Sequence, residues 1–215
     1  MINVLNSIIN EKLIVIVRGV PAEKLLPMCE AMYKGGVRLL EITYSADGST
    51  PDEVTAENIG MLSKAFEGRM YIGAGTVLTT KQVELTHKAG GKFIISPDTN
   101  PEVIKKTKEL GMVSIPGSLT PTEIQTAHLS GADFVKLFPV TTMGADYVKA
   151  VKAPLSHIKL LAVGGISEDN MPEYLEAGVC GFGLGANIVD KNAINRGDYD
   201  AITELSKKYT SILKG

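Results

Sequence analysis

Short apolar runs rich in β-branched residues alternate with stretches of helical periodicity along the whole chain. Runs of strand length and composition occupy residues 13–18, 39–43, 71–76, 93–97, 113–117, 134–139, 159–165 and 181–185. Between them, segments such as 23–34, 81–89, 102–110 and 123–129 repeat apolar residues at about 3.6-residue spacing and predict helices. Residues 1–12 read as a short amphipathic helix. Thr79, Thr120 and Ser167 are placed as N-caps, and glycines at 35–36, 90–91, 111, 131 and 178 as helix stops. Residues 45–55 read as a longer loop lying over the strand ends.

Eight strand–helix units in 215 residues predict an α/β fold, a compact (β/α)8 TIM barrel with a short N-terminal helix, as one domain spanning residues 1–215. The runs are apolar on both faces, as parallel strands covered by helices must be. An open doubly wound sheet is the alternative, and it gives no reason for eight evenly spaced units.

The composition narrows the function. The chain is 44% hydrophobic and 21% charged, with a formal net charge of −2, so nothing points to nucleic acid. No long apolar run predicts a membrane span, and the first residues lack a secretory cleavage pattern. Cys29 and Cys180 are too few for a disulfide framework or a cysteine zinc site, which fits a reducing, cytoplasmic setting. His87, His128 and His157 form no metal-spaced cluster and are expected on surface helices or turns.

The informative polar residues fall at the predicted C-terminal strand ends, where such barrels carry their chemistry. Lys136 lies inside the apolar run Phe134-Val135-Lys136-Leu137-Phe138-Pro139. A buried ammonium costs several kcal/mol unless it is paired or neutral, and a neutral amine is the nucleophile of Schiff-base chemistry. Snorkelling to the strand end and structural pairing with Glu41 are the plain alternatives. Glu41 and Thr43 share one face of the second strand by two-residue alternation. Arg18, Thr76, Pro97 and Pro116 close the first, third, fourth and fifth strands. Gly164-Gly165-Ile166-Ser167 and Gly185-Ala186-Asn187 follow the seventh and eighth, each expected to lead into a helix. Such glycines let backbone amides approach an anion, and this is the usual phosphate position of the fold. Turn-forming glycines and a rim salt bridge by Arg18 are the structural alternatives.

The ordered set of motifs resembles the class I aldolases for 2-keto-3-deoxy-6-phosphogluconate and 4-hydroxy-2-oxoglutarate over nearly the full length. It comprises Gly35-Gly36-Val37, Leu40-Glu41-Ile42-Thr43, Ile72-Gly73-Ala74-Gly75-Thr76-Val77, Ile95-Ser96-Pro97 and Ile115-Pro116-Gly117 with Thr120-Pro121-Thr122-Glu123. Val135-Lys136-Leu137-Phe138-Pro139, Gly164-Gly165-Ile166-Ser167 and Gly183-Leu184-Gly185 complete it. The resemblance implies Lys136 as the imine-forming lysine, Glu41 as the acid–base group and Thr76 with Arg18 on the pyruvyl carboxylate. Gly164, Gly165, Gly185 and Ala186 would hold a phosphate, with Thr43, Pro97 and Pro116 lining the substrate site. It also implies a homotrimer with no metal and no cofactor. Its partners would be a small-molecule 2-keto acid and an aldehyde, with no nucleic acid and no membrane.

Three positions depart from the pattern. Ser45 stands where many members carry arginine, leaving Arg18 to take the carboxylate. Val163 stands where many members have threonine, and the resulting Val-Gly-Gly resembles the branch that cleaves the galactonate epimer. Ala186 replaces a serine and removes a hydroxyl donor worth about 1 kcal/mol. Either backbone amides hold the phosphate or the substrate is a shorter, unphosphorylated 2-keto-4-hydroxy acid. Two rivals remain. An isomerase or synthase barrel explains the glycine loops but gives Lys136 no task. A non-catalytic keto-acid or sugar-phosphate sensor has no need of a buried amine.

Overall fold

The computed structural model describes residues 1–214. Nine strands form one parallel sheet: β1 (Leu13–Val17), β2 (Leu39–Thr43), β3 (Tyr71–Gly75), β4 (Phe93–Ile95), β5 (Val113–Ile115), β6 (Gly117–Ser118), β7 (Val135–Leu137), β8 (Leu160–Val163) and β9 (Gly181–Leu184). Their order is β5-β4-β3-β2-β1-β9-β8-β7-β6. Only Pro116 separates β5 from β6, so the two are halves of one stave and the sheet is a (β/α)8 barrel. Proline has no N–H to give the ladder, which is why the stave breaks there. The expected fifth strand is corrected accordingly. The other strands end at or within two residues of the expected C-terminal bounds, so Arg18, Thr76, Pro97, Gly164 and Gly185 sit in loops rather than strands.

The helices are α1 (Ile2–Glu11), α2 (Ala22–Lys34), α3 (Asp52–Ala65), α4 (Thr80–Lys88), α5 (Pro101–Glu109), α6 (Pro121–Leu129), α7 (Gly144–Lys152), α8 (Met171–Glu176), α9 (Lys191–Arg196) and α10 (Tyr199–Lys214). Thr79 and Thr120 are N-caps, as expected, and each also closes a capping box, with Gln82 and Glu123. Three expectations are corrected. Residues 45–55 are only partly loop, because α3 begins at Asp52 with Asp52 and Glu53 in its first turn. Ser167 does not cap a helix: α8 starts beyond Asn170, whose Oδ1 instead accepts from the Ser167 amide (2.8 Å). The Gly185-Ala186-Asn187 segment makes a single turn, with the Ile188 and Val189 amides donating to the Gly185 carbonyl, and α9 begins only at Lys191.

Two-residue alternation divides the strands cleanly. Leu13, Val15, Leu40, Ile42, Val135 and Leu137 face the helices, while Ile14, Leu39, Phe93, Ile95, Val113, Ile115, Phe134 and Leu161 fill the barrel. Val4 and Ile8 of α1 join the interior cluster. The N-terminal end of the barrel is thereby plugged with hydrocarbon, and the interior opens at the C-terminal end. Among the described residues no helix is long and apolar enough to cross a membrane, and no three His, Cys, Asp or Glu side chains are grouped to hold a metal. His87 and His128 lie exposed on α4 and α6, and His157 in an exposed turn.

Close approach of α2 to α10 rests on Gly35. A β-carbon there would overlap Cβ of Ser206 and lie 2.7 Å from the Thr203 carbonyl. Thr210 Oγ1 donates to the Gly35 carbonyl at 2.8 Å across the same contact. Gly35→Ala is therefore expected to destabilise the fold by about 1–3 kcal/mol through overpacking. Urea unfolding checks this, and an unchanged midpoint would show that the contact yields at no cost.

Candidate active site

Alternation puts Glu41 of β2 and Lys136 of β7 on the inner face, one layer above the hydrocarbon plug. Ile16 of β1 registers with Glu41, and Leu161 of β8 with Lys136. Glu41 is 2% and Lys136 8% exposed. Both line a cavity of about 610 Å³ at the open end of the barrel. No side-chain hydrogen bond or ion pair engages either group among the described residues. The pair is therefore not a structural salt bridge, and the lysine has not snorkelled away. The Phe138 ring lies beneath the amine, 4.8 Å from Nζ to the ring centroid.

Burial sets the protonation of both. It pushes the Lys136 amine below the ordinary lysine value; the Glu41 carboxylate partly opposes this, and Arg18 adds repulsion in the same direction as burial. Burial likewise pushes Glu41 above the ordinary carboxylate range, against the pull of Lys136 and then Arg18. The result is an amine biased towards its nucleophilic form beside a carboxyl group biased towards holding a proton.

Glycine makes room for this arrangement. A β-carbon on Gly75 would overlap the Glu41 carboxylate, and one on Gly73 would overlap the Phe93 ring. The next residue, Thr76, has φ +54°. This left-handed conformation is costly for a β-branched residue, about 1–3 kcal/mol, and such strain gathers at functional sites. It places the Thr76 hydroxyl to accept from Arg18 Nη2 at 2.8 Å. Arg18 is the other cation on the cavity wall.

The loops after β8 and β9 supply donors. Gly164 and Gly165 have φ +94° and +68°, a backbone that glycine adopts without strain. Asn170 clips this turn, donating to the Gly165 carbonyl (3.1 Å) and accepting from the Ser167 amide. Among the described residues, the amides of Gly165, Ile166, Ala186 and Asn187 have no acceptor, and all four residues line the cavity. Free backbone amides in a cavity wall are the material from which anion-binding concavities are made.

Of the residues singled out in the sequence, Arg18, Glu41, Thr76, Pro97, Lys136, Gly164, Gly165, Gly185 and Ala186 meet in this cavity. Two do not. Thr43 bonds back to the Val17 carbonyl (3.3 Å) and lines a neighbouring cavity of about 400 Å³, because the strand end turns its hydroxyl towards β1. Pro116 is buried in the wall, where its carbonyl accepts from the Lys136 amide at 2.8 Å and anchors β7. Ser45 bonds to Asp47 and Ser49 and stays out of the central cavity. Sequence reasoning missed Ile16, Leu78 and Phe138 as wall residues. Two-residue alternation carried a signal for Ile16, on the face of Ile14 and two residues before Arg18, and for Phe138, two residues beyond Lys136, but none for Leu78.

A family described as KDPG and KHG aldolase matches residues 4–205. A probable 2-dehydro-3-deoxy-6-phosphogalactonate aldolase of Rhizobium meliloti (strain 1021) is 36% identical over 187 residues, 86% of this chain and 85% of that protein. The 2-dehydro-3-deoxy-phosphogluconate aldolase of Treponema pallidum (strain Nichols) is 30% identical over 217 residues, 99% of each. A crystal structure of the KDPG aldolase of Legionella pneumophila, with pyruvate captured as a covalent carbinolamine, aligns with a TM-score of 0.84 and 30% identity, covering 94% of this chain and 96% of that one.

The amine must be neutral to react, so the acid limb of its reactivity should lie below the ordinary lysine value. Glu41→Gln removes the one interaction that raises the Lys136 value and should move that limb to lower pH. Arg18→Gln removes a repulsion and should move it to higher pH. Labelling rates of Lys136 with a small amine-directed reagent, read by peptide mass spectrometry across pH, test both signs; a limb fixed in all three proteins contradicts the electrostatic account.

Proposed function

The chain belongs to the KDPG and KHG aldolase family, and from that membership we propose how its own residues perform class I cleavage of a 2-keto-3-deoxy-6-phospho sugar acid. The observation that carries this reading is a buried, unpaired amine sharing one cavity with an unpaired carboxyl group. Lys136 attacks the C2 ketone and gives a carbinolamine. Loss of water, with Glu41 delivering the proton, leaves a protonated imine. That imine draws the electron pair of the C3–C4 bond as the C4 hydroxyl gives its proton to Glu41 or a water it orients. The aldehyde departs, and the enamine left on Lys136 takes a proton at C3. Hydrolysis then releases pyruvate and restores the amine.

Arg18 and Thr76 orient the carboxylate, a positioning contribution. The free amides after β8 and β9 hold the distal phosphate, whose remote binding energy aligns the reacting bond. With 2-keto-3-deoxy-6-phosphogluconate the products are pyruvate and glyceraldehyde 3-phosphate. With 4-hydroxy-2-oxoglutarate they are pyruvate and glyoxylate. A second reading, the galactonate epimer, is favoured by Val163, which presents hydrocarbon to the cavity where a hydroxyl could otherwise contact the substrate. The resemblance adds a homotrimer to the proposal.

Borohydride reduction in the presence of pyruvate is expected to leave a pyruvyl adduct on Lys136, and Lys136→Ala to abolish it. Glu41→Gln should lower kcat by about 10²–10⁴ with a smaller change in KM. A folded wild-type protein that traps no pyruvate would sink the scheme. Parallel assays with the two 6-phospho epimers decide between the two readings.

A further inference from the structure

The central cavity does not end at Gly185 and Ala186. It continues into a recess of about 470 Å³ that shares Ile16, Arg18, Gly185 and Ala186 with it and is bounded on the far side by Asp190 and Lys191. Lys191 is exposed, yet its ammonium folds back over the loop after β1. Nζ lies 3.7 Å from where a β-carbon on Gly19 would stand. No carboxylate lies within ion-pair distance of it among the described residues. Asp190, the carboxylate of the recess, is already engaged: its Oδ1 accepts from the amides of Asn192 (2.7 Å) and Ala193 (3.1 Å). Arg18 spends one donor on Thr76. The recess therefore has two cations on its wall, and its one carboxylate is turned into hydrogen bonds.

These cations share the recess with Ala186, where no side-chain hydroxyl is available. Neutral amides hold a phosphate in place, but a cation adds the charge-assisted contact that distinguishes a phosphate from a hydroxyl. We propose that Lys191 is the specificity-determining residue of this cavity: its ammonium closes the recess beside Gly185 and Ala186 and pairs with the terminal phosphate of the substrate. The inference rests on the aldolase reading above. Arg18 is left to the carboxylate end, and Lys191 supplies at the distal end the contact that Ala186 lacks. Because Lys191 is exposed, its pairing with phosphate is screened by salt, unlike a buried steric effect.

The test compares a 2-keto-3-deoxy-6-phospho sugar acid with its unphosphorylated counterpart, in the wild type, Lys191→Ala, Lys191→Arg and the charge-matched control Lys34→Ala. The readout is the ratio of the two kcat/KM values. Lys191→Ala is expected to lower that ratio about tenfold or more, while Lys191→Arg retains most of it and Lys34→Ala all of it. Raising salt from about 50 to about 500 mM should erode the wild-type ratio more steeply than that of Lys191→Ala. An unchanged ratio in Lys191→Ala, or a wild type indifferent to the phosphate, overturns the inference while pyruvate trapping on Lys136 leaves the aldolase reading standing. Absence of trapping in the folded wild type overturns both.

Discussion

Desolvation of two opposite charges that are kept apart is the constraint on which the site depends. An amine and a carboxyl group inside a barrel would ordinarily either pair or be excluded, since an unpaired buried charge costs several kcal/mol. Here neither happens. Glu41 and Lys136 stand on separate strands around the cavity, close enough to feel each other's field and not bonded to each other. Each relaxes towards neutrality instead, and the neutral forms are the ones that nucleophilic attack and proton delivery require.

Holding the groups in this way makes demands on the surrounding volume. Gly73 and Gly75 give up side chains so that Phe93 and the Glu41 carboxylate can occupy the barrel. Below them, Val4 and Ile8 pack into the N-terminal end of the barrel. The strained backbone at Thr76 is tolerated because the packed sheet holds it, and it turns a hydroxyl onto Arg18. Stability is given up locally to fix two polar groups at the mouth.

The wall formed by the loops after β8 and β9 is built from a different material. The loops after β8 and β9 present amides, and the Asn170 side chain ties off the Gly165 carbonyl and the Ser167 amide so that the others stay free. A wall made of backbone amides does not depend on the side chain at Ala186. The cations that line the adjoining recess arise from two other places, Arg18 from the loop after β1 and Lys191 from the start of α9.

The barrel, its eight staves, the N-caps at Thr79 and Thr120, and the burial of Lys136 and Glu41 at one end of the barrel were legible in the amino-acid order. Local periodicity encodes which face is apolar, and a charge within an apolar strand announces itself. Positions set by strand twist and loop path were not legible. Alternation alone put Thr43 beside Glu41, but the strand end rotates it onto Val17. Pro116 read as a site residue and is a break in a stave; Ser167 read as a cap and is an amide donor to Asn170. The separation of Glu41 from Lys136, the free amides and the place of Lys191 over Gly19 are relations between residues far apart in sequence. Only closure of the barrel brings them together, because sequence patterns record the neighbours of a residue along its own strand or helix, not what the folded chain lays across from it.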